Sequence, residues 1–230
     1  MGAHPADHPG PFVLVADVGA PAPDEADLHH LRRVLRLRDG APLTVGDGLG
    51  RWRPARLGDR IEPTGPVEVV PASDPEVCVA FALTKSEKPE LVVQKLTELG
   101  VDRIIPFRSE RSVVRWDEAK ATKAVERLRL VARAAAMQSH RPWVPRVDPV
   151  ASFLELARVP GLVMAERHGP PLTAAHTAVA VGPEGGWSDA EAALDLPRVG
   201  LGEHVLRAET AAIAAGVLLT ATRGTTTPGR

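Results

Sequence analysis

At 230 residues the chain is long enough for one large or two modest domains, each with its own core. Hydrophobic residues make up 44% and charged residues 25%, which excludes a disordered chain, and no apolar run approaches the roughly 20 residues of a membrane span. A formal net charge of −1 argues against indiscriminate nucleic-acid binding, and the single cysteine, Cys78, excludes an intrachain disulfide or a cysteine metal site. Residues 1–10 lack the basic and apolar regions of a signal peptide, so a cytoplasmic location is expected.

The first seventy residues predict short elements punctuated by turns. Residues 12–15 form a candidate strand, 24–36 a helix, and 42–45, 51–57 and 65–70 further strands separated by Gly and Asp turns. Leu28, Leu31 and Leu35 recur at helical spacing, which puts Arg32, Arg33 and Arg36 on the opposite side. Between His29 and Arg60 eight arginines stand against three acids, a local balance of +5 hidden in the nearly neutral total. Any one of these arginines reads as a solvated residue. As a cluster backed by Arg51, Arg53 and Arg56 on a neighbouring hairpin, they read as a phosphate-binding face. With no Tyr, four Phe and four Trp, the chain has too few aromatics for a base-stacking platform, so RNA would be held through phosphates and shape. Arg141, further along, reaches RNA or pairs with an acid.

Pro71-Ala72-Ser73-Asp74-Pro75 interrupts this pattern and reads as a linker, dividing the chain into 1–72 and 73–230. Beyond it apolar strands (77–83, 103–107, 162–165, 178–181, 199–201) alternate with helices (89–99, 117–139, 188–194, 208–222). Such alternation predicts an α/β fold with a mainly parallel sheet covered on both faces. Pro89 at a helix start and Gly100 just past its end fit the usual asymmetry of helix termini. Cys78 sits in an apolar run and reads as core, while 224–230 reads as a frayed tail.

Two blocks near the C-terminus carry the chemistry: Val181-Gly182-Pro183-Glu184-Gly185-Gly186-Trp187-Ser188 and Leu201-Gly202-Glu203-His204-Val205-Leu206-Arg207-Ala208-Glu209-Thr210-Ala211. Each begins where an apolar run ends and leads into a helical segment. Both therefore put backbone rich in free N–H and C=O groups at the carboxyl ends of strands, where open α/β sheets bind ligands. The first block alone also reads as an ordinary strand-to-helix turn, with Ser188 as N-cap ahead of Asp189 and Glu191. No G-x-G-x-x-G follows a strand, and Gly46-Asp47-Gly48-Leu49-Gly50 reads as a hairpin turn. Neither a P-loop nor a nucleophile elbow occurs, and the eight His are scattered, so no metal site is expected.

Paired at this spacing, the two blocks resemble the C-terminal signature of the SPOUT methyltransferases. More narrowly they resemble the RsmE-type family, which methylates N3 of a uridine in 16S ribosomal RNA (uridine 1498 of the small subunit) using S-adenosylmethionine. Segments that resemble the same family in the same order are His29-His30-Leu31-Arg32-Arg33-Val34-Leu35-Arg36, Thr84-Lys85-Ser86-Glu87-Lys88, Gln94-Lys95-Leu96-Thr97-Glu98-Leu99-Gly100, Arg108-Ser109-Glu110-Arg111-Ser112 and Gln138-Ser139-His140-Arg141. The resemblance spans nearly the whole chain. Met137 departs from it, standing where that family carries glutamate.

The resemblance implies a small PUA-like β-barrel over 1–72 that presents Arg32, Arg33, Arg36, Arg51 and Arg53 to RNA, with Arg141 as a further contact. It implies a SPOUT-type parallel sheet over 73–230 with a C-terminal trefoil knot, whose loops 164–169, 182–186 and 201–206 bind S-adenosylmethionine. Met164, Ala165 and Glu166 come from the first loop; Val181, Gly182, Pro183, Glu184, Gly185 and Gly186 from the second; Leu201, Gly202, Val205 and Leu206 from the third; Thr210 and Ala211 from the helix that follows. Implied partners are 16S rRNA or the assembled small subunit and a second copy of the chain, to which the Ala-rich last helix is suited; no membrane and no metal is involved.

Methylating uracil N3 requires that the imide proton be accepted or the resulting anion stabilised on the flanking carbonyl oxygens. Arg207 is the candidate for that stabilisation, because a permanent cation beside those oxygens lowers the pKa of the imide. Glu209 is either the base or a group that orients Arg207 or, with Thr210, caps the following helix, and the orienting or structural role is favoured over the base. Two rival readings stand beside this one: a SPOUT enzyme acting on another rRNA or tRNA site, such as a ribose 2′-hydroxyl, and a non-catalytic ribosome-assembly factor. The early H-H-L-R-R-V-L-R pattern favours the uridine family over the first, and the intact glycine loops favour an enzyme over the second.

Overall fold

A computed structural model describes residues 4–84, 88–112, 114 and 116–223. Lys85, Ser86 and Glu87 of the mid-chain motif and the tail 224–230 lie outside the described residues. The chain divides into two compact units, Met1–Ala72 with Arg133–Val144, and Ser73–Ala132 with Pro145–Arg230.

In the first unit, β1 (Phe12–Leu14) runs parallel to β2 (Pro42–Gly46), which pairs antiparallel with β3 (Arg51–Arg56). The far edge of β3 is shared by β4 (Glu62–Pro63) and β5 (Glu68–Val69). Strand alternation builds two cores. Val13, Val45 and Ala55 face one core with Leu31, Leu43 and Leu57, while Phe12, Leu14 and Trp52 face the other. That second face is covered by Ala136, Met137 and Val144, which is why Arg133–Val144 belongs to this unit. Arg133 donates to the Leu14 carbonyl at 2.9 Å and pairs with Asp27 at 2.6 Å, and the Trp143 indole donates to the Val70 carbonyl at 2.8 Å. Burying each large apolar side chain here contributes about 1.5–3 kcal/mol. Met137 is therefore an apolar packing group in this protein.

Two expectations need correction. The helix over 24–36 is α-helical only at α1 (Glu25–His29), and His30–Val34 is a turn of π-helix. The wider turn shifts the register, so Leu35, expected inside, is 44% exposed, and Leu37 packs on the core instead. Arg36 then takes a left-handed backbone at φ 53° and ends the element. The strand over 65–70 shrinks to β5, because β4 already holds the Ala55–Arg56 end of β3 and the Gly65 carbonyl accepts from Arg53.

The second unit is a wholly parallel sheet in the order β12-β10-β11-β6-β7-β8, with β9 also paired to β7. Its strands are β6 (Cys78–Ala82), β7 (Arg103–Arg108), β8 (Arg146–Val147), β9 (Ala151–Ser152), β10 (Leu162–Ala165), β11 (Ala178–Val181) and β12 (Arg198–Val199). The helices are α2 (Lys88–Glu98), α3 (Glu118–Gln138, to Ala132 in this unit), α4 (Phe153–Leu156), α5 (Asp189–Ala192) and α6 (Ala208–Thr222). The two-residue strands β8 and β9 and the one-turn α4 are too short to carry a readable period.

Helix α6 packs on α2, β6 and β11. Its small residues allow this contact: a Cβ on Gly216 would meet Leu96 Cδ2 at 2.6 Å. The small residues on this side of the Ala-rich helix are therefore used for packing within the chain. The opposite sheet face buries Cys78, Ala80, Ile105, Phe107, Met164 and Ala180 against Phe153 and Leu156 of α4. Cys78 is core as expected, and burial pushes its thiol up to about 12.

Candidate active site

The order of the sheet makes the site. From the edge strand β8 the chain returns to β10, inserts β11 between β10 and β6, and then adds β12 outside β10. The loops leaving the carboxyl ends of these three adjacent strands meet, as expected at a change of strand order. They enclose a cavity of about 370 Å³.

Of the residues proposed for the cofactor, Ala165 and Glu166 line this cavity from the first loop, and Val181, Gly182, Pro183, Glu184 and Gly186 from the second. Leu201, Gly202, Val205 and Leu206 line it from the third, and Ala211 from α6. Three stand apart: the Met164 side chain is fully buried in the sheet core, Gly185 faces Arg111, and Thr210 is exposed. Arg167 and His204, inside the loops read from the sequence but not named individually, also line the cavity, as do Trp187, Ala192 and Ala208, which were not assigned to it.

Trp187 sets the shape of one wall. Its indole donates to the Ala165 carbonyl at 3.0 Å, linking the first two loops, and its ring stacks on Phe107 at 6.0 Å and 11°. A Cβ on Gly182 would lie 3.0 Å from this ring, tighter than an ordinary contact, so a side chain there would press on the indole. Gly186 has φ 71°, a left-handed backbone that only glycine adopts freely, and its missing Cβ faces open space. An aromatic directly after a glycine turn was the one available signal for this wall.

The turn is fixed from behind by Glu191. Ser188 caps α5 as read from the sequence, in a reciprocal box with Glu191, and the buried Glu191 carboxylate also accepts from Ser109 Oγ and Glu110 N–H, both at 3.0 Å. Arg111 donates to the Gly185 carbonyl at 3.4 Å and lies 3.4 Å from Asp189. The Arg108-Ser109-Glu110-Arg111-Ser112 segment thus buttresses the glycine turn.

At the start of α6, Arg207 is the N-cap residue; its exposed guanidinium forms no hydrogen bond or ion pair among the described residues. Glu209 lies in the first turn, with its side chain 14% exposed and Oε2 3.3 Å from Lys88 Nζ. Burial pushes the Glu209 carboxyl up, but its own backbone N–H, Lys88 and Arg207 together outweigh burial and hold it below the usual carboxylate range.

The arginines of the first unit divide. Arg32 donates to the Gly58 carbonyl at 2.6 Å, Arg53 to Gly65 at 3.0 Å and Arg56 to Gly40 at 2.8 Å. Arg33, Arg36 and Arg51 are exposed and form no such bond among the described residues. Arg141 is half-buried and interacts within the protein. No group of His, Cys, Asp or Glu suited to a metal occurs among the described residues, and none of the described helices is long and apolar enough to cross a membrane.

A family profile described as an RNA methyltransferase domain matches residues 72–220, and one described as an RNA methyltransferase PUA domain matches residues 23–62. Ribosomal RNA small subunit methyltransferase E of Mycobacterium bovis is 35% identical over 225 residues, covering 86% of each chain. The crystal structure of ribosomal RNA small subunit methyltransferase E from Neisseria gonorrhoeae, bound to S-adenosylmethionine, matches with a TM-score of 0.80 at 25% identity, covering 94% of this chain and 99% of that one. A Legionella pneumophila protein solved with the bound cofactor SAM matches with a TM-score of 0.79 at 27% identity, over 93% of this chain and 98% of that one. This two-part chain, with a PUA domain ahead of a parallel-sheet α/β domain, belongs to the ribosomal RNA small subunit methyltransferase E family of RNA methyltransferases.

Proposed function

We propose that this chain transfers a methyl group from S-adenosylmethionine to N3 of a uridine in 16S ribosomal RNA, uridine 1498 of the small subunit. The observation that carries the reading is the cavity at the strand-order change, about 370 Å³ and therefore of the size that binds small ligands. The residues present fit such a ligand. Val181, Leu201, Leu206 and Ala211 offer apolar wall for a purine ring, the glycine turn brings bare backbone to the cavity edge, and Glu166, Glu184 and His204 supply polar groups. When bound, S-adenosylmethionine supplies a methyl group already activated by its sulfonium.

The task left to the protein is the imide proton. Arg207, unpaired among the described residues, is available to stabilise negative charge on the uracil carbonyl oxygens. Glu209 is paired with Lys88 and held below the usual carboxylate range, which suits an orienting group and makes it a poor proton acceptor near neutral pH. In this reading residues 1–72 hold RNA phosphates, while 73–230 carry the reaction and thread loops 164–169, 182–186 and 201–206 into a trefoil knot. The enzyme acts as a homodimer in the cytoplasm.

The test is incubation with methyl-labelled S-adenosylmethionine and either free 16S rRNA or assembled small subunits, followed by nuclease digestion and mass spectrometry. A methyl on N3 blocks the pairing edge of uracil, so 3-methyluridine and a reverse-transcription stop at one uridine are expected. Label on a ribose 2′-hydroxyl would favour the other SPOUT chemistry, and cofactor binding without incorporation would favour an assembly factor.

A further inference from the structure

Lys88 opens α2, and its ammonium lies 3.2 Å from Glu184 Oε1 and 3.3 Å from Glu209 Oε2. Glu184 belongs to the glycine turn after β11, and Glu209 to the first turn of α6 beside the cavity-lining Ala208. One cation therefore ties together two segments that form different walls of the same cavity. The two carboxylates differ in what they need from it. Glu184 is 62% exposed and makes no other ion pair among the described residues. Glu209 is largely buried, and its Oε2 has no aligned hydrogen-bond donor among the described residues, so Lys88 is the charge that compensates it.

We infer that Lys88 is a positioning residue, which fastens the glycine turn 182–186 to the start of α6 and so holds the cofactor cavity in its binding form. The inference rests on reading that cavity as the S-adenosylmethionine site. Lys88 does not line the cavity itself but acts on it through Glu184, which does, and through Glu209. Its effect is to order the two walls before the ligand arrives, so that binding does not have to supply that ordering. The hydrogen bond to Glu184, then the neighbouring Glu209 carboxylate, raises the Lys88 pKa, and the latch stays charged at any pH at which the enzyme would work.

The test compares Lys88→Met, which keeps the length of the chain and removes the charge, with Lys88→Arg, which keeps the charge. Calorimetry gives the S-adenosylmethionine Kd, and amide hydrogen exchange on the ligand-free protein reports the turn directly. Lys88→Met is expected to weaken cofactor binding by about 10-fold, between the small effect of an exposed pair and the larger one of a buried carboxylate left alone. It is also expected to speed exchange at Gly185, Gly186 and Trp187 with no cofactor present, and to raise the KM for cofactor more than it lowers kcat. Lys88→Arg should restore most of the affinity. Wild-type Kd and wild-type exchange in folded Lys88→Met would overturn the inference. So would equal losses of affinity and melting temperature in both variants, since the side chain would then act by packing rather than charge. If the wild-type protein bound no S-adenosylmethionine, the proposed function would fail, while the exchange of the ligand-free turn would still decide whether Lys88 is a latch.

Discussion

Arg207 and Glu209 stand two residues apart at the start of α6 and have opposite surroundings. Glu209 is largely buried and paired; Arg207 is exposed and unpaired among the described residues. Arg207 holds the N-cap position without any side-chain cap bond, so Arg207→Ala removes no capping interaction and should leave the melting temperature unchanged. If the guanidinium acts on the developing uracil anion, that variant loses about 10²–10³ in kcat and keeps its cofactor affinity. Raising the pH should recover part of the rate, because hydroxide then takes over more of the imide deprotonation. Single-turnover rates against pH, with the cofactor Kd measured alongside, decide this. An unchanged rate removes Arg207 from the chemistry, and a weakened Kd makes it part of the binding scaffold. Gly182 and Gly186 show the same dependence on surroundings: the first packs closely under the Trp187 ring, and the second has a left-handed backbone.

At the scale of elements, the arginine cluster resolves into two sets. Alternation along β3 puts Arg51 and Arg53 on one face and Arg56 on the other, and the π-turn after α1 displaces Leu35, Arg33 and Arg36 from simple helical register. Arg32, Arg53 and Arg56 donate to backbone carbonyls of neighbouring loops and act as internal braces. Arg33, Arg36 and Arg51, exposed and without such bonds among the described residues, are the set proposed to meet phosphate. Replacing them together, with Asn at position 36 because its φ of 53° strains Ala, should weaken RNA binding at an unchanged melting temperature. The log–log salt slope should fall by roughly 0.7–0.9 for each phosphate that is no longer neutralised. Replacing Arg32, Arg53 and Arg56 by Ala should instead lower the urea midpoint, each hydrogen bond removed being worth on the order of 1 kcal/mol. Filter binding across salt concentrations, with urea melts of both triple variants, tests the division; RNA affinity that falls only when the braces are replaced would reverse it.

For the molecule as a whole, acid stability follows from carboxylates held low by the fold. Glu155 is held low by the backbone and side chain of Ser152 in the α4 cap, and Glu209 by the groups that outweigh its burial. A carboxyl with a folded pKa below its unfolded value near ~4.3 gives stability that is complete above that value and is lost as pH falls through the folded pKa. Urea midpoints should therefore be level from neutral pH down to about 5 and fall below about 4.3, less steeply in Glu209→Gln. A wild-type midpoint that stayed level to pH 3 would contradict this. Much of the architecture was legible beforehand, because its signals are local. Apolar strand runs, helix ends such as Pro89 and Gly100, the Ser188 cap and the glycine turns are each written in adjacent residues. The family resemblance carried the loops onto the chain, and most of those residues do line one cavity. The tertiary structure alone decided which distant residues meet. Lys88 reaches Glu184 across 96 positions, Ser109 reaches Glu191 across 82, and Asp27 draws Arg133 into the first unit across 106. These pairings depend on the strand order β12-β10-β11-β6-β7-β8 and on a bare face of Phe12, Leu14 and Trp52 that needed covering. Residue spacing along a single chain specifies periodicity, whereas order within a sheet is set by the packing of whole elements.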